Sequence, residues 1–413
     1  MRSTIAARPG TRIAIVGAGI GGLTLATELR RRGLDPQVYE QAAELREVGA
    51  AVALSANAVR FLRDRIGIGE ALAEKAADVD GLVFRDGRDG RVLGRVLSRQ
   101  EYHDRAGAPY YGVHRADLQL MLKEALGEDA LHLNKQCVRV DDGEDSAVLH
   151  FADGDSVEAD LVIGADGVRS RLRREMLGYD DAQFSGCHGW RGLVAPDQVP
   201  SLPDPESIQF WMGPGGHLLH YPIGGGVQNF LLVRRHDGPW ADRSWVVPAE
   251  KNEHLAAFEG WDPAITEMIS AAPAAERWAL FNRPPLQRWS RGRITLLGDA
   301  AHAMVPHHGQ GANQSIEDAI VLADCLMEGL EQGTGWDDAR QRYQDLRADR
   351  VRRVQITSLA TADALHLPDG PLADARNTRL GAPDFWERSL AWIHEHVADG
   401  LREEMCALRV LNP

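Results

Sequence analysis

The chain has 413 residues, 44% of them hydrophobic, enough for a sizeable core and, on length, two or three domains. Its 46 basic and 60 acidic side chains leave a net charge of −14, which argues against nucleic acid or an anionic membrane surface as a partner. No run of about 18 apolar residues occurs, so no transmembrane helix is expected. Met1 to Gly10 carries no apolar signal core, and Cys137, Cys187, Cys325 and Cys406 form no CxxC pair. A cytoplasmic protein with reduced thiols, no metal site and a monomeric or homodimeric state is the expectation.

The first element is an apolar strand, Arg12 to Val16, feeding the turn Gly17-Ala18-Gly19-Ile20-Gly21-Gly22 and a helical stretch from Leu23 to Arg32. Gly17 permits the tight turn, Gly19 lets backbone approach a pyrophosphate, and Gly22 lets the helix pack close to the strand. Glu40 ends the next strand, 23 residues after Gly17, where a carboxylate accepts ribose hydroxyls. It also repels a 2′-phosphate, so the tightly held nucleotide is read as FAD or NAD rather than NADP.

Residues 76–110 read as strands and loops, with turn signals at Asp86-Gly87 and Asp89-Gly90. A helix from Asp117 to Leu126 follows, then strands near Gln136–Val140 and Val148–Phe151, a turn at Asp153-Gly154 and a buried strand, Leu161 to Ile163. From 181 to 285, alternating apolar patterns (Ser207–Trp211, His217–Tyr221, Asn229–Val233) are punctuated by Gly and Pro, which describes an antiparallel sheet. A parallel-type strand at Ile294–Leu297 and a helix from Asn313 to Gly329 come next. Helices are expected at 335–360 and 384–397, with a loop at Leu367–Pro383. The fold class is therefore α/β. A discontinuous Rossmann-like domain (1–75, 111–180, 286–335) is interrupted by a sheet domain (76–110, 181–285) and followed by a helical region (336–413).

Two further turns follow apolar strands. One is Gly164-Ala165-Asp166-Gly167. The other is Gly298-Asp299-Ala300-Ala301-His302, which runs into Pro306-His307-His308-Gly309-Gln310-Gly311-Ala312-Asn313. With the first glycine turn, in this order, these motifs resemble the single-component, class A FAD-dependent aromatic hydroxylases over about residues 10–360. Within that class the chain is similar to the salicylate hydroxylase, 3-hydroxybenzoate 6-hydroxylase and 6-hydroxynicotinate 3-monooxygenase group, which His114 to Leu118 and Gly189-Trp190-Arg191-Gly192 also fit.

The resemblance implies an FAD enzyme that consumes NADH or NADPH and O2, forms a flavin C4a-hydroperoxide and hydroxylates a phenolic or amino-substituted benzoate or a heteroaromatic analogue. Alternatives are a same-fold hydroxylase or epoxidase of a larger polycyclic compound, or a flavoprotein oxidase or dehydrogenase without oxygen insertion. It implies an Asp299 contact on the ribityl or pyrophosphate side and a flavin N1/O2 edge facing the backbone N–H groups of Gly311, Ala312 and Asn313. Arg115 matches an arginine near the flavin chain and Arg46 a pyrophosphate partner, or each is a surface ion pair. Asp166 matches an aspartate linking cofactor and NAD(P)H use, or it only forms a turn.

The chemistry asks for a base. A phenol of pKa ~10 is only about 0.1% phenolate at pH 7. Removing its proton in step with attack recovers up to about three orders of magnitude, roughly 4 kcal/mol. On a strand His217, Leu219 and Tyr221 share a face, with His217 and Tyr221 about 13 Å apart. By resemblance His217 is the base and Tyr221 orients the substrate, or His217 is a sheet histidine bonded to backbone. His307, next to Pro306 and just before the flavin-facing helix, is the other candidate. His302 reads as structural. Arg191 is read as meeting a substrate carboxylate or forming an ion pair. No second GxGxxG precedes a helix, so no separate NAD(P)H domain is expected.

Overall fold

The computed structural model describes residues 11–45, 51–179, 182–242, 244–273 and 276–398. The strand Ile13–Val16 lies at the centre of a six-stranded sheet, with Leu161–Gly164 and Ile294–Leu296 on one side and Gln37–Tyr39 and Leu131–His132 on the other, all parallel. Ser290–Arg291 adds an antiparallel edge. Ile13–Val16 and Leu161–Gly164 are wholly buried, as expected of central parallel strands covered by helices. The helices Ile20–Arg31 and Gly311–Gln332 pack against each other over this sheet.

An eight-stranded sheet forms the second layer. Its order is Val246–Pro248, Glu276–Asn282, Gln183–Val194, Gln228–Arg235, Gly216–Pro222, Ile208–Gly213, Leu82–Asp86 and Val92–Val96. Every pairing is antiparallel except Ile208–Gly213 with Leu82–Asp86. Side-chain alternation splits its faces. Phe210, Met212, Leu219 and Tyr221 join the main core, while Trp211, Leu218 and Leu232 join a second core beneath Lys251–Ala257 and Pro263–Ala271. A three-stranded sheet, Ala51–Leu54, Tyr111–His114 and Ala77–Asp78, bridges the two layers.

Two expectations are corrected. The stretch 76–110, read as strands and loops, contains the helix Arg99–Ala106, started by a capping box between Ser98 and Glu101. The expected loop Leu367–Pro383 contains the helix Pro371–Leu380, with proline in its first turn, where a missing N–H costs nothing. The helix Trp336–Leu365 is 30 residues long and runs on past 360.

That long helix is anchored by a buried ionic cluster. The Arg347 guanidinium, fully buried, donates to Glu317 at 2.5 Å and to Asp318 at 2.8 Å. Arg350 adds two 2.7 Å bonds to Glu317. Burial pushes both carboxyls up, but the surrounding cations outweigh it and hold them below the usual range. Asp318 also accepts the Gly298 N–H at 3.0 Å and bonds His302 Nε2 at 2.5 Å, so His302 fixes the Gly298-Asp299 turn from behind. Arg347→Ala leaves buried carboxylates short of their partner. It is expected to cost about 3–5 kcal/mol in urea unfolding; a loss below about 1 kcal/mol would show the cluster to be dispensable.

Candidate active site

The first glycine turn is shaped by close approach. Gly17 has φ +106°, and a Cβ there would lie 2.4 Å from the Ala165 carbonyl oxygen. A Cβ on Gly22 would lie 2.2 Å from the Gly17 carbonyl oxygen. Gly19 differs: it has extended backbone (φ −70°, ψ 176°), and a Cβ would meet nothing within 4 Å. The space before Gly19 is thus open, and the helix Ile20–Arg31 begins there with no side-chain cap on its N–H groups.

Glu40 stands at the strand end beside this turn. One carboxylate oxygen accepts the Ala18 N–H at 2.8 Å and the other the Ala42 N–H at 2.9 Å. Each oxygen keeps a second lone pair for a hydroxyl. Gln119 donates to the Ala18 carbonyl at 2.7 Å, which sets the helix Arg115–Leu126 against the turn, with Arg115 one turn nearer its start. Arg46 lies outside the described residues.

Asp166 caps a helix. One of its oxygens accepts the N–H groups of Arg171 at 2.8 Å and Leu172 at 3.2 Å. Its other oxygen, Oδ1, is buried without a partner, and burial pushes the carboxyl above its ordinary range. Asp299 opens the short helix Asp299–His302, half-buried, and a Cβ on Gly311 would lie 3.8 Å from its Oδ1. The helix Gly311–Gln332 likewise starts without a side-chain cap. The Asn313 side chain is occupied: it accepts the Ser55 N–H and donates to the Ala53 and Gly309 carbonyls. What Gly311, Ala312 and Asn313 offer a ligand is therefore backbone.

These residues fit FAD. The open space before Gly19 and the uncapped helix start would hold the pyrophosphate. Glu40 would meet the ribose. The start of Gly311–Gln332, with about half a positive charge, would face the flavin edge on which negative charge gathers.

Beyond Asp299 and Gly311 opens a cavity of about 900 Å³ between the loop Ala303–Gln310, the inner face of the large sheet and the C-terminal helices. Leu219, Tyr221, Asn229, Arg191, Pro306 and His307 all line it. Burial pushes the Tyr221 hydroxyl well above its usual value, with Arg191 pulling the other way, so it stays protonated. The Arg191 guanidinium lies 3.7 Å over the Trp278 ring. His307 is 3% exposed and neither of its ring nitrogens has a hydrogen-bond partner. Burial lowers it to about 3, so it is neutral at pH 7.

His217 is set back from the wall. Its ring centroid lies 5.3 Å from that of His307, edge to face. Its Nδ1 is 2.7 Å from His366 Nε2, while its own Nε2 is buried without a partner. His366 ends the long helix and went unnoticed in the sequence, because no motif links it to His217, 149 residues away. Tyr110, also on the cavity wall, carried no sequence signal either.

The chain matches the family described as an FAD binding domain over residues 10–358. It is 42% identical over 385 residues to a 3-amino-4-hydroxybenzoate 2-monooxygenase of Streptomyces platensis, covering 93% of this chain and 95% of that protein. It is 38% identical to a 6-hydroxynicotinate 3-monooxygenase of Bordetella bronchiseptica, covering 84% and 90%. Among solved structures, Klebsiella pneumoniae HpxO complexed with FAD and uric acid superposes with a TM-score of 0.78 at 27% identity, covering 98% of this chain and 97% of that one. The family match and these relatives show what the chain is: it belongs to the FAD binding domain family and is an FAD-dependent aromatic monooxygenase of the class A group.

Proposed function

We propose that the enzyme hydroxylates a phenolic or amino-substituted benzoate, with an aminohydroxybenzoate such as 3-amino-4-hydroxybenzoate as the first substrate to test. The observation that carries this reading is His307: a neutral, buried imidazole on the cavity wall with both nitrogens unpartnered. One of its nitrogens carries a bare lone pair that can accept the hydrogen of a ring hydroxyl, and full proton uptake needs bound substrate to raise the imidazole above its value in the empty cavity. Bound FAD supplies the redox chemistry, passing electrons from NAD(P)H to O2 so that one oxygen atom enters the ring and the other leaves as water.

The remaining steps belong to this chain. Arg191 meets the carboxylate, and Tyr221, held protonated, donates to a ring substituent. Phe210, Met212 and Leu219 exclude water from the ring. The hydroxyl hydrogen is taken by His307 on the wall, and the electron pair left on oxygen makes the ring nucleophilic. A cytoplasmic setting fits the nicotinamide co-substrate and the free thiols Cys137, Cys187 and Cys325.

The test is a panel of aminohydroxybenzoates, hydroxybenzoates and hydroxypyridines, followed by substrate-stimulated NAD(P)H loss and matching product. Silence on the whole panel refutes the benzoate reading. With the active substrate, His307→Ala is expected to lower hydroxylation about 10²–10³-fold while FAD stays bound, the loss shrinking at alkaline pH as phenolate forms unaided. Unchanged activity at pH 7 removes His307 from the mechanism.

A further inference from the structure

The inner face of the large sheet is the cavity floor, and its side chains stand in rows across the strands. One row sets Tyr221 directly opposite Asn229. The next sets Leu219, Leu231 and Arg191 side by side. Asn229 therefore lies on the strand between those that carry Tyr221 and Arg191. Facing side chains on neighbouring strands stand about 4.5–5.5 Å apart at Cβ, and diagonal ones about 7–8 Å. Asn229 faces Tyr221 in the first way and Arg191 in the second. All three line the cavity, among the apolar side chains of Ile208, Phe210, Leu219 and Leu231.

The Asn229 amide has nothing to bond. It is 6% exposed, and no described residue makes a hydrogen bond to its side chain. Buried amides elsewhere are engaged. Gln209 accepts from the Arg85 guanidinium at 2.6 Å and donates to the Asp204 carbonyl at 2.8 Å. Gln228, the next residue in the chain, points to the other face and donates to the Pro205 carbonyl at 2.9 Å. Asn313 holds the Ala53 and Gly309 carbonyls. A buried amide without a partner is a cost to the fold, and an apolar side chain in this row would avoid it. Neither end of the Asn229 amide is committed, so it can turn either way. Its oxygen accepts the hydrogen of an amino or hydroxyl group, and its NH2 donates to a lone pair, whereas Arg191 can only donate.

We infer that Asn229 is a specificity residue that touches the substrate: its amide hydrogen-bonds an amino or hydroxyl substituent of the ring, beyond the carboxylate and the hydroxyl that meets His307. This rests on the reading that the substrate is a phenolic or amino-substituted benzoate. The selection comes from what a wrong ring leaves behind. A methyl group in the place of the amino group has nearly its shape but no hydrogen to give and no lone pair. It fills the space that a water would take and strands the amide in a dry pocket. A site built to bond a polar substituent rejects the analogue that lacks it more strongly than an apolar pocket rejects an extra methylene. Asn229 thus favours benzoates with two polar ring substituents over those with one.

The experiment compares 3-amino-4-hydroxybenzoate with 4-hydroxy-3-methylbenzoate on the FAD-loaded enzyme. Binding is read from the change in flavin absorbance, and turnover from kcat/KM. The wild type is expected to prefer the amino compound about tenfold or more in both. In Asn229→Leu that preference is lost or reversed: the amino compound falls about tenfold or more, and the methyl compound holds or improves. A wild type without the preference overturns the proposal. So does a Leu variant that keeps it, which would give the contact to Tyr221. Thermal unfolding without any aromatic is a separate arm. An amide held for a ligand gives a Leu variant that melts at or slightly above the wild type, since no protein bond is lost. A Tm lowered by about 5 °C or more in both Asn229→Leu and Asn229→Val, or failure of both to fold, makes the amide structural and overturns the proposal. If no benzoate binds, the substrate reading falls, and the melting arm still decides whether Asn229 serves the fold or the cavity.

Discussion

Replacing Gly19 by valine is expected to give a folded, colourless protein without monooxygenase activity. The backbone at Gly19 is extended and open to any residue, and a Cβ there meets no protein atom within 4 Å. The substitution is therefore tolerated by the fold. Its branched side chain fills the space before the uncapped start of Ile20–Arg31, the place proposed for the pyrophosphate. Hydrogen bonds from N–H groups to a charged oxygen are worth about 1.5–3 kcal/mol each. Losing two of them weakens FAD binding by about 10²–10⁴-fold. Flavin absorbance after gel filtration and the far-ultraviolet circular dichroism spectrum measure the two halves separately. Gly22→Ala is the contrasting control: its Cβ would lie 2.2 Å from the Gly17 carbonyl, so it should damage folding as well as colour. A Gly19→Val protein that stays yellow puts the cofactor elsewhere.

The second large effect is acid lability. His217, His220, His307, His366 and His394 are each at most 5% exposed. Burial lowers all five: His220 to about 4, His307, His366 and His394 to about 3, and His217 well below its ordinary value. The sign follows. Below pH ~6.5 the unfolded chain protonates these rings and the folded one does not, so the unfolded state binds more protons and stability falls as pH falls, down to the folded values. Each such ring costs up to about 1.4 kcal/mol per pH unit, or about 7 kcal/mol for five. Total stabilities of about 5–15 kcal/mol do not survive much of that. Unfolding is expected one to two units below pH ~6.5, shifted lower by bound FAD. Glu317 and Asp318 act in the same direction, but only near and below the ordinary carboxylate range, as pH falls toward their depressed values. A fluorescence titration with its midpoint below pH ~4 would mean that carboxylates alone set the acid limit.

The cofactor end of the fold was readable because steric rules leave few choices there. Gly17 and Gly22 are glycine because carbonyl oxygens stand where a Cβ would be. Strand alternation put Leu219 and Tyr221 on one face, and both line the cavity. The pairing of Leu82–Asp86 with Ile208–Gly213 was not readable, since partners more than 120 residues apart leave no local trace. The helix Arg99–Ala106 had its signal in Ser98 and Glu101, but it buries only Tyr102 and Ala106, too few apolar positions to show a period. His217 had a neighbourhood in the sequence, whereas His366 did not. Its place depends on where a 30-residue helix happens to end.

That same helix, about 45 Å from end to end, works as a ruler. Arg347 pins one part of it to the helix Gly311–Gln332. Gln355 and Ser358 then grip the carbonyls of Ala303 and Val305, and its far tip rests on the turn before the His217 strand. Each added residue would swing everything beyond it by about 100°. Its length between Arg347 and His366 can thus change only in near-whole turns if both ends are to keep their contacts.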